Sequence, residues 1–375
     1  MPEKVYIGPY RPQLVEPERF ELLVEGNKII DAKMELGYMH RGIEKLFTMR
    51  TYAQNIALAE RICGICSGTH TLCYVQTVEG LMGIEVPERA KYLRCIYMEL
   101  ERLHSHYLWF GILAHSLHEH EIFAKIMDKR EMLQDLFEYL TGNRINYAIN
   151  VIGGVRRDIT LEKAEKVRKV LKNLKPLSDY IMSLLDDNGA FTKKTREVGI
   201  LSRDKAIKVG AVGPTLRGSG VASDIRRDDP YAAYGKLDFE VIFERDGDVR
   251  AKALVRARET YESINIIEQA LDNLPLGEIS IKPGEPRVGE EIGRTEAPRG
   301  ELIYYIKSNG KNIPERVKVR TPSFANNFAI LEMLRGEYLE NARTVIESID
   351  PCFACTDRVA IVDVKTGERK IMELK

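Results

Sequence analysis

Two Cys-x-x-Cys pairs, one near each end of the 375-residue chain, are the residues most suited to metal chemistry. The first pair is Cys63 and Cys66, and the second is Cys352 and Cys355. The spacing within each pair lets both sulfurs face one ion, and four thiolates form a soft, sulfur-only ligand set. Because nearly the whole chain separates the pairs, a shared site can exist only once the two ends have folded together.

The spacing alone leaves a four-thiolate zinc site and an iron–sulfur cluster open. Zinc ribbons usually carry their pairs close together on glycine-rich turns, whereas each pair here follows a predicted helix, which disfavours zinc. Thioredoxin-like exchange is disfavoured because it needs only one pair and no βαβ pattern surrounds either pair. The two other cysteines, Cys73 and Cys95, are expected to be buried core thiols.

The elements that position the pairs are predicted to be helices. Apolar periodicity predicts a helix over Thr51–Arg61, which leads to the first pair, and one over Asn326–Ile349, which leads to the second. The same signal predicts further helices over Val86–Leu117, Glu121–Leu140, Thr160–Leu185 with a kink or break at Pro176, Asp228–Glu244 and Ala251–Leu274. The glycine-rich stretch Gly189–Ser223 is predicted to be loop.

Strand signals lie at the two ends of the chain. They predict strands over Arg19–Val24, Lys28–Met34, Glu278–Ile281, Gly300–Lys307 and Arg316–Arg320, and a final hairpin of Val359–Val364 with Arg369–Leu374. The predicted fold class is therefore α+β, a central helical bundle with β-hairpins or small sheets at both ends. We expect a single domain over 1–375, with a β-rich lobe over 1–50, a helical core over 51–275 and a β-rich segment over 276–375.

Composition excludes several classes of partner. The 56 basic and 56 acidic side chains give a net charge of zero, which disfavours nucleic acid. No apolar run approaches the roughly 20 residues of a membrane span, and the N-terminus lacks the pattern of a signal peptide. We expect a soluble, cytoplasmic chain, although such a chain can still dock on membrane subunits.

Both cysteine motifs resemble the signatures of the catalytic large subunit of [NiFe] hydrogenases. The first reads Arg-x-Cys-Gly-x-Cys-x-x-x-His and ends at His70, and the second reads Asp-Pro-Cys-x-x-Cys and begins at Asp350. Segments 37–46, 297–301 and 320–326 match the same family, and segments 216–221 and 224–231 resemble its membrane-associated, energy-converting group 4. That branch also includes the quinone-site subunit of respiratory complex I. Complex I subunits have lost the cysteines, so the four present here favour hydrogen chemistry.

The resemblance implies a role for each cysteine. Cys63 and Cys352 would be terminal ligands of nickel. Cys66 and Cys355 would bridge nickel to an iron that carries CO and cyanide. No iron–sulfur cluster is expected in this chain, because no further cysteine set remains to hold one.

The resemblance also implies roles for residues around the metals. Glu16 would relay protons and Arg299 would lie over the open metal position. The remaining expected neighbours of the centre are His70, Glu44, Arg61, Pro322, Ser323 and Arg358. A packed core histidine at His70 and a solvated loop glutamate at Glu16 are the alternatives. The histidines between His104 and His120 are expected to serve packing and surface rather than zinc.

The position of Arg358 differs from many soluble family members, which have histidine there. In those proteins the histidine and the counterpart of Glu44 take part in a small metal-ion site. Because arginine brings a permanent charge, we expect no magnesium-like ion here and an Arg358–Glu44 ion pair instead. Family members often lose a C-terminal extension after this position, and whether Val359–Lys375 is removed stays open.

The function implied is that of a ferredoxin-linked, membrane-bound [NiFe] hydrogenase, interconverting H2 with protons and electrons. Its expected partners are a small subunit with a proximal [4Fe–4S] cluster, further iron–sulfur subunits, antiporter-like membrane subunits that translocate ions, and ferredoxin indirectly. The chain would be a peripheral subunit on the cytoplasmic side of the membrane. The alternative is a complex I-like quinone- or sulfur-reducing or coupling subunit without a nickel–iron centre.

Overall fold

The computed structural model describes residues 2–10, 16–356, 360–362, 366 and 369–371. The chain opens with a three-stranded antiparallel sheet whose strands lie in sequence order. Its strands are Glu3–Ile7 (β1), Arg19–Glu25 (β2) and Lys28–Glu35 (β3). Phe20, Leu22 and Val24 alternate on the buried face of β2. The predicted hairpin of β2 and β3 is confirmed, with Gly26 in the left-handed conformation that its turn requires.

Helices occupy the middle of the chain. They are Ile43–Phe47 (α1), Tyr52–Glu60 (α2), Ser67–Met82 (α3), Glu88–Ser116 (α4), His120–Thr141 (α5), Leu161–Leu184 (α6), Thr192–Thr195 (α7), Arg203–Lys208 (α8), Gly213–Arg217 (α9), Ile225–Asp228 (α10) and Val249–Asp272 (α11). A short hairpin of Asn150–Val151 (β4) and Gly154–Val155 (β5) separates α5 from α6. The predicted α+β class with a central helical bundle is confirmed.

Helix α4 is the centre of the bundle and contacts α3, α5 and α11. It is buried around most of its circumference, and several of its buried side chains are charged. Arg94 pairs with Glu79, and Arg102 pairs with Glu99, both inside the protein. Paired burial of this kind is what allows charged side chains to occupy a helix that has almost no solvent face.

The C-terminal part returns to sheet and then to helix. Strands Val288–Ala297 (β6), Gly300–Asn309 (β7) and Arg316–Arg320 (β8) form an antiparallel sheet in that order. Helices Pro322–Leu334 (α12) and Ala342–Ser348 (α13) follow. The described part of the tail pairs Ala360–Val362 (β9) with Arg369–Ile371 (β10), as the predicted hairpin requires.

Several sequence predictions were wrong in detail. The predicted helix Asp228–Glu244 does not form: after Asp228 ends α10 the chain is loop with one short 3-10 turn, Tyr234–Lys236, because Pro230 does not allow the helix to continue. The predicted helix Asn326–Ile349 is two helices, separated at Gly336, whose φ is +85°. Glu278–Ile281 makes only an isolated bridge. Conversely, α6 continues through Pro176, and the predicted loop over 189–223 contains α7, α8 and α9.

The two ends of the chain share a hydrophobic cluster. Phe20 and Leu22 of the first sheet pack with Ile330 of α12, Val345 of α13 and Phe353 beside the second cysteine pair. The rings of Phe20 and Phe353 meet edge to face, with centroids 6.3 Å apart. This cluster brings the second cysteine pair back to the N-terminal region. In the described part of the chain, no helix is both long and apolar enough to cross a bilayer.

Candidate metal centre

The four paired cysteines converge in the interior. The Cys352 Sγ lies 3.4 Å from the Cys63 Sγ and 3.0 Å from the Cys355 Sγ. The sulfurs of Cys63, Cys66 and Cys355 lie within 4.8 Å of one another, and all four cysteines are buried. Sulfurs this close, drawn from both ends of the chain, form a ligand set that one soft ion or a pair of ions can share.

One cysteine of each pair is the N-cap residue of a helical element. Cys66 is the N-cap residue of α3, and the Cys63 Sγ accepts a hydrogen bond from the Ile65 N–H at 3.4 Å. Cys355 ends a 3-10 turn, Phe353–Cys355, whose N-cap is Cys352. Both motifs are therefore tight turns, which point two sulfurs to the same side over a short stretch of backbone.

Four thiols this close cannot all ionise without a cation. The pKa of Cys63 lies well below its ordinary value because Cys352, Cys355 and Cys66 donate hydrogen bonds to its sulfur. Burial, together with the neighbouring sulfurs, holds the pKa of Cys355 well above its ordinary value. The cluster on its own favours a single thiolate, so binding of a soft metal ion would release the remaining protons.

Arg41 ties the two cysteine segments together. Its guanidinium donates to the carbonyls of Arg61 and Ile62 at 2.8 Å, and to the carbonyl of Ala354 at 3.0 Å. The first two carbonyls precede Cys63, and the third lies inside the second pair. The sequence predicts that Arg61 lies beside the centre. Its side chain is largely exposed and contacts Ala57 and Glu60, so the structure brings only the Arg61 backbone into this network.

Glu16 reaches the cluster from the N-terminal region. Its Oε2 accepts from the Ala354 N–H at 2.8 Å, and its Oε1 lies 3.9 Å from the Cys352 Sγ. Burial raises the pKa of Glu16, and the hydrogen bond from Ala354 opposes that rise. The Glu16 carboxylate is therefore largely buried and lies beside the Cys352 thiol.

Arg299 and Asp350 form a buried ion pair next to the cluster. The Arg299 Nε donates to the Asp350 carbonyl at 2.6 Å, and its Nη2 donates to the carboxylate at 2.8 Å. Burial works to lower the pKa of Arg299, but Asp350 and the nearby cysteine cluster outweigh it and keep the guanidinium charged. Among the described residues, the Arg299 Nη1 and the Asp350 Oδ2 are buried and have no hydrogen-bond partner. Such atoms commonly mark a place where a ligand or water binds.

Two glycines fix the position of Arg299. Gly213 begins α9 at φ +63°, and a Cβ there would lie 2.4 Å from the Arg299 carbonyl oxygen and 2.3 Å from the Cα of Gly300. Gly300 itself has φ +126°. Only glycine permits this backbone approach, so α9 holds the turn between β6 and β7 that carries Arg299.

His70 of α3 lies beside the second cysteine pair. Its Nε2 is 3.8 Å from the Cys355 Sγ, and its Nδ1 is 3.0 Å from the Tyr304 hydroxyl. Burial lowers the pKa of His70 to about 4, so the ring is neutral near pH 7. If the Tyr304 hydroxyl donates to Nδ1, the ring proton is left on Nε2, where it faces the sulfur. Sequence reasoning missed Tyr304, although it stands on the buried face of β7 between Leu302 and Ile306.

The start of α12 contacts the second pair. The Ser323 hydroxyl oxygen accepts from the Cys352 N–H at 3.0 Å, and Pro322 is buried beside it at the first turn of the helix. The Thr321 hydroxyl donates to the Cys355 carbonyl at 2.8 Å. Residues 321–323 therefore fix the backbone that carries both sulfurs of the second pair.

Glu44 lies beyond the cysteine cluster. Its carboxylate accepts from the Lys318 Nζ at 3.1 Å and from the Val319 N–H at 3.0 Å. It joins α1 to β8, close to the start of α12. Arg358 lies outside the described residues, so its pairing with Glu44 stays a prediction.

The other cysteines and histidines lie outside the cluster. Cys73 contacts the Gly293 and Leu302 carbonyls, and burial raises its pKa to about 12. Cys95 is also buried.

The histidines of α4 have partners of their own. His106 pairs with Glu259, and His104 contacts Arg130. Within the described part of the chain, the groups that could hold a metal consist of the paired cysteines alone.

Comparisons with known proteins identify the family of the chain. The profile of the "Respiratory-chain NADH dehydrogenase, 49 Kd subunit" matches residues 119–287 and 283–358, and that of "Nickel-dependent hydrogenase" matches residues 41–124. The carbon monoxide-induced hydrogenase of Rhodospirillum rubrum is 41% identical over 94% of this chain and 98% of its own length. The membrane-bound hydrogenase subunit alpha of Pyrococcus furiosus is 39% identical over 99% of this chain and 91% of its own length.

A solved structure extends the comparison. A chain of the membrane-bound sulfane sulfur reductase, an archaeal respiratory membrane complex, superposes with a TM-score of 0.90 at 32% identity, over 95% of this chain and 98% of that one. Fold and site together define a large subunit of an energy-converting oxidoreductase. The chain belongs to the family that unites the large subunits of group 4 membrane-bound hydrogenases with their complex I counterparts.

Proposed function

We propose that this chain is the catalytic subunit of a membrane-bound [NiFe] hydrogenase that interconverts H2 with protons and electrons. The observation that carries the proposal is the convergence of four buried thiols from two Cys-x-x-Cys motifs. Cys63, Cys66, Cys352 and Cys355 would together hold the two metals, and their thiolates would supply all of the protein's ligands to them.

The donor set and its surroundings fit such a centre. Sulfur-only ligation suits soft metals, and the charged Arg299 compensates the negative charge of thiolates. The buried Arg299 Nη1, without a partner among the described residues, can donate to an anionic or polar ligand of the metals. When bound, a nickel–iron centre carrying CO and cyanide would supply the site at which H2 is formed or split.

Glu16 is proposed to carry the proton. Its carboxylate oxygen lies 3.9 Å from the Cys352 sulfur, so a proton can pass between the thiol and the carboxylate after a small approach. The Ala354 N–H holds the other carboxylate oxygen and fixes the orientation of the group. A carboxyl with a pKa raised by burial is better matched to proton exchange near neutral pH than a solvated one.

His70 and Ser323 are proposed to orient the sulfurs. The neutral His70 ring, with its proton on Nε2, would donate towards the Cys355 sulfur and reduce its basicity. Ser323 accepts from the Cys352 N–H and thereby holds the second pair against α12. These contacts would hold the two cysteines of the second pair in place.

Electrons are proposed to leave through a small subunit with a proximal [4Fe–4S] cluster, and from there to ferredoxin through further iron–sulfur subunits. Antiporter-like membrane subunits would couple this flow to ion translocation. The chain would be a peripheral subunit on the cytoplasmic side of the membrane. Its similarity to subunits named as parts of membrane-bound complexes supports this arrangement.

The second candidate is reduction of a sulfur compound or a quinone without a nickel–iron centre. The TM-score of 0.90 to a subunit of the sulfane sulfur reductase favours this alternative. It leaves the convergence of four cysteines without a catalytic role. We therefore place it second.

The test is an activity comparison on the purified complex. With a low-potential electron donor, the hydrogenase proposal expects H2 evolution, and with an oxidised acceptor it expects H2 uptake. Polysulfide and a quinone analogue serve as competing acceptors in the same preparation. Polysulfide or quinone reduction with no H2 turnover would overturn the proposal in favour of the second candidate.

A further inference from the structure

Helix α3 begins at a cysteine that cannot cap it. Cys66 is the N-cap residue, a position at which a Ser, Thr, Asp or Asn side chain usually accepts from the N–H groups of the first turn. The Cys66 side chain makes no such hydrogen bond, because its sulfur points into the thiol cluster. The first-turn N–H groups of α3 are buried and need another acceptor.

Glu101 of α4 supplies that acceptor. Its Oε2 accepts from the Gly68 N–H at 2.6 Å, and its Oε1 accepts from the Thr69 N–H at 2.9 Å and from the Thr69 hydroxyl at 2.5 Å. Gly68 and Thr69 are the second and third residues of α3, whose amides an N-cap side chain would normally bind. Glu101 is fully buried, so these three contacts replace its lost hydration.

Gly68 makes this contact possible. A Cβ at position 68 would lie 2.9 Å from the Glu101 Oε2 and 2.7 Å from the Met98 Cε. The glycine is therefore required by the approach of the carboxylate rather than by the backbone of the helix. The opposite side of the same turn is also held, because the Asn150 Nδ2 donates to the Gly68 carbonyl at 3.0 Å.

We propose that Glu101 is a positioning residue that caps α3 in place of Cys66 and so leaves the Cys66 sulfur free to bind metal. The negative carboxylate at the helix N-terminus favours the start of the helix at this residue. The backbone of Cys66, and with it the sulfur, is then fixed from α4 rather than from its own turn. This inference rests on the proposed nickel–iron function only for the identity of the metal.

Three variants test the proposal, with a matched control. Glu101→Gln keeps the volume but sets an amide donor against one of the two N–H groups, and Glu101→Ala removes both acceptors. Gly68→Ala displaces the carboxylate without changing it. The control is Glu99→Gln, because Glu99 is equally buried on α4 but contacts Arg102, Arg226, Tyr234 and Ser263 instead.

Hydrogen–deuterium exchange of the purified complex gives a readout that does not depend on the metal. The experiment is done above pH 8, because burial raises the pKa of Glu101 to about 7, against the hydrogen bonds from Thr69 and Gly68. Exchange at Gly68 and Thr69 is expressed relative to exchange at residues 75–82 of the same helix. We expect this ratio to be about tenfold higher in Glu101→Gln than in the wild type, because one cap contact is lost. In Glu101→Ala, which loses both acceptors, it should be higher still. Glu99→Gln should leave this ratio unchanged.

Infrared spectra of the same samples report the metal centre. We expect the CO and cyanide bands to shift in the Glu101 and Gly68 variants but not in Glu99→Gln. Unchanged exchange in Glu101→Ala, or an equal change in Glu99→Gln, would overturn the capping role. Altered exchange with unshifted bands would overturn the positioning of Cys66. Absence of the bands from the wild type would instead contradict the nickel–iron proposal, while the exchange data still decide whether Glu101 caps α3.

Discussion

The sulfurs of Cys63 and Cys352 lie 3.4 Å apart although 289 positions separate them in the chain. The contact exists because the N-terminal sheet packs on the C-terminal helices and because Arg41 joins the backbones of the two cysteine segments. The cysteine cluster thus connects the two ends of the chain. Substitutions that weaken this connection should first reduce the metal content of the protein.

Replacement of any paired cysteine by alanine, at Cys63, Cys66, Cys352 or Cys355, should abolish H2 turnover and metal incorporation. Each change removes one of four soft donors, and no other described cysteine is close enough to replace it. Nickel and iron analysis of purified protein checks the prediction. Cys73→Ala and Cys95→Ala are the controls and should keep their nickel. Full activity in any one of the four variants would refute the assignment.

Arg41→Gln should lower the fraction of nickel retained against a chelator by about tenfold, because three hydrogen bonds from a charged donor are lost. Arg61→Gln is the matched control, since that guanidinium is exposed and contacts Ala57 and Glu60 at the end of its own helix. If Arg41→Gln retains as much nickel as the wild type, or if both variants lose the same fraction, Arg41 does not hold the two cysteine segments together.

Glu16→Gln should leave metal content unchanged and lower turnover by at least roughly an order of magnitude, the usual contribution of a positioned acid–base group. Glutamine keeps the size and the hydrogen bond from Ala354 but cannot exchange the proton. Glu21→Gln is the control, because Glu21 lies on β2, the strand that follows Glu16, and pairs with Lys4 at the surface. Normal turnover in Glu16→Gln would remove this residue from the proton path.

Acid should destabilise the fold partly through His106. Burial lowers the pKa of His106 to about 4, and the hydrogen bond to Glu259 only partly offsets this. The unfolded histidine titrates near 6.5, so between these values the unfolded chain binds a proton that the folded chain does not. The stability that this histidine contributes above about pH 6.5 is therefore lost as the pH falls towards 4.

Denaturant midpoints at pH 7 and pH 5 measure this effect. The decrease from pH 7 to pH 5 should be smaller in His106→Gln than in the wild type, because glutamine binds no proton. A decrease at least as large in the variant would contradict the role given to His106. The comparison uses the difference between two pH values, so a general loss of stability in the variant does not affect it.

The fold was predictable where the sequence pattern is strong. Helices α4 and α5 have apolar residues at helical spacing and lie within a few residues of their predicted bounds. Strand β6 was missed, because Val288–Ala297 mixes glycine, glutamate and arginine and is exposed along its first half. The pairing of β6 with β7, rather than its own composition, makes it a strand.

Site residues were predictable where a local motif carries them. The four cysteines, His70 and Glu16 stand in or near recognisable motifs, and the structure brings them together. Tyr304 and Glu101 were not identified, because each acts on groups that are distant in sequence. Arg41 lies in the matched segment 37–46, but its role of joining the two cysteine segments was not predicted. Glu101 offered a partial signal, because it is a carboxylate in a helix that is buried on nearly all sides. Such a group needs hydrogen-bond donors from a neighbouring element.

The most direct test of the central claim is infrared spectroscopy of the purified wild-type complex, combined with nickel and iron analysis of this subunit. If the four converging thiols hold a nickel–iron centre, we expect about one nickel and one iron per chain, together with stretching bands of CO and of cyanide that disappear in Cys352→Ala. Zinc in place of nickel, or a wild-type spectrum with no such bands in a metal-loaded protein, would contradict the account.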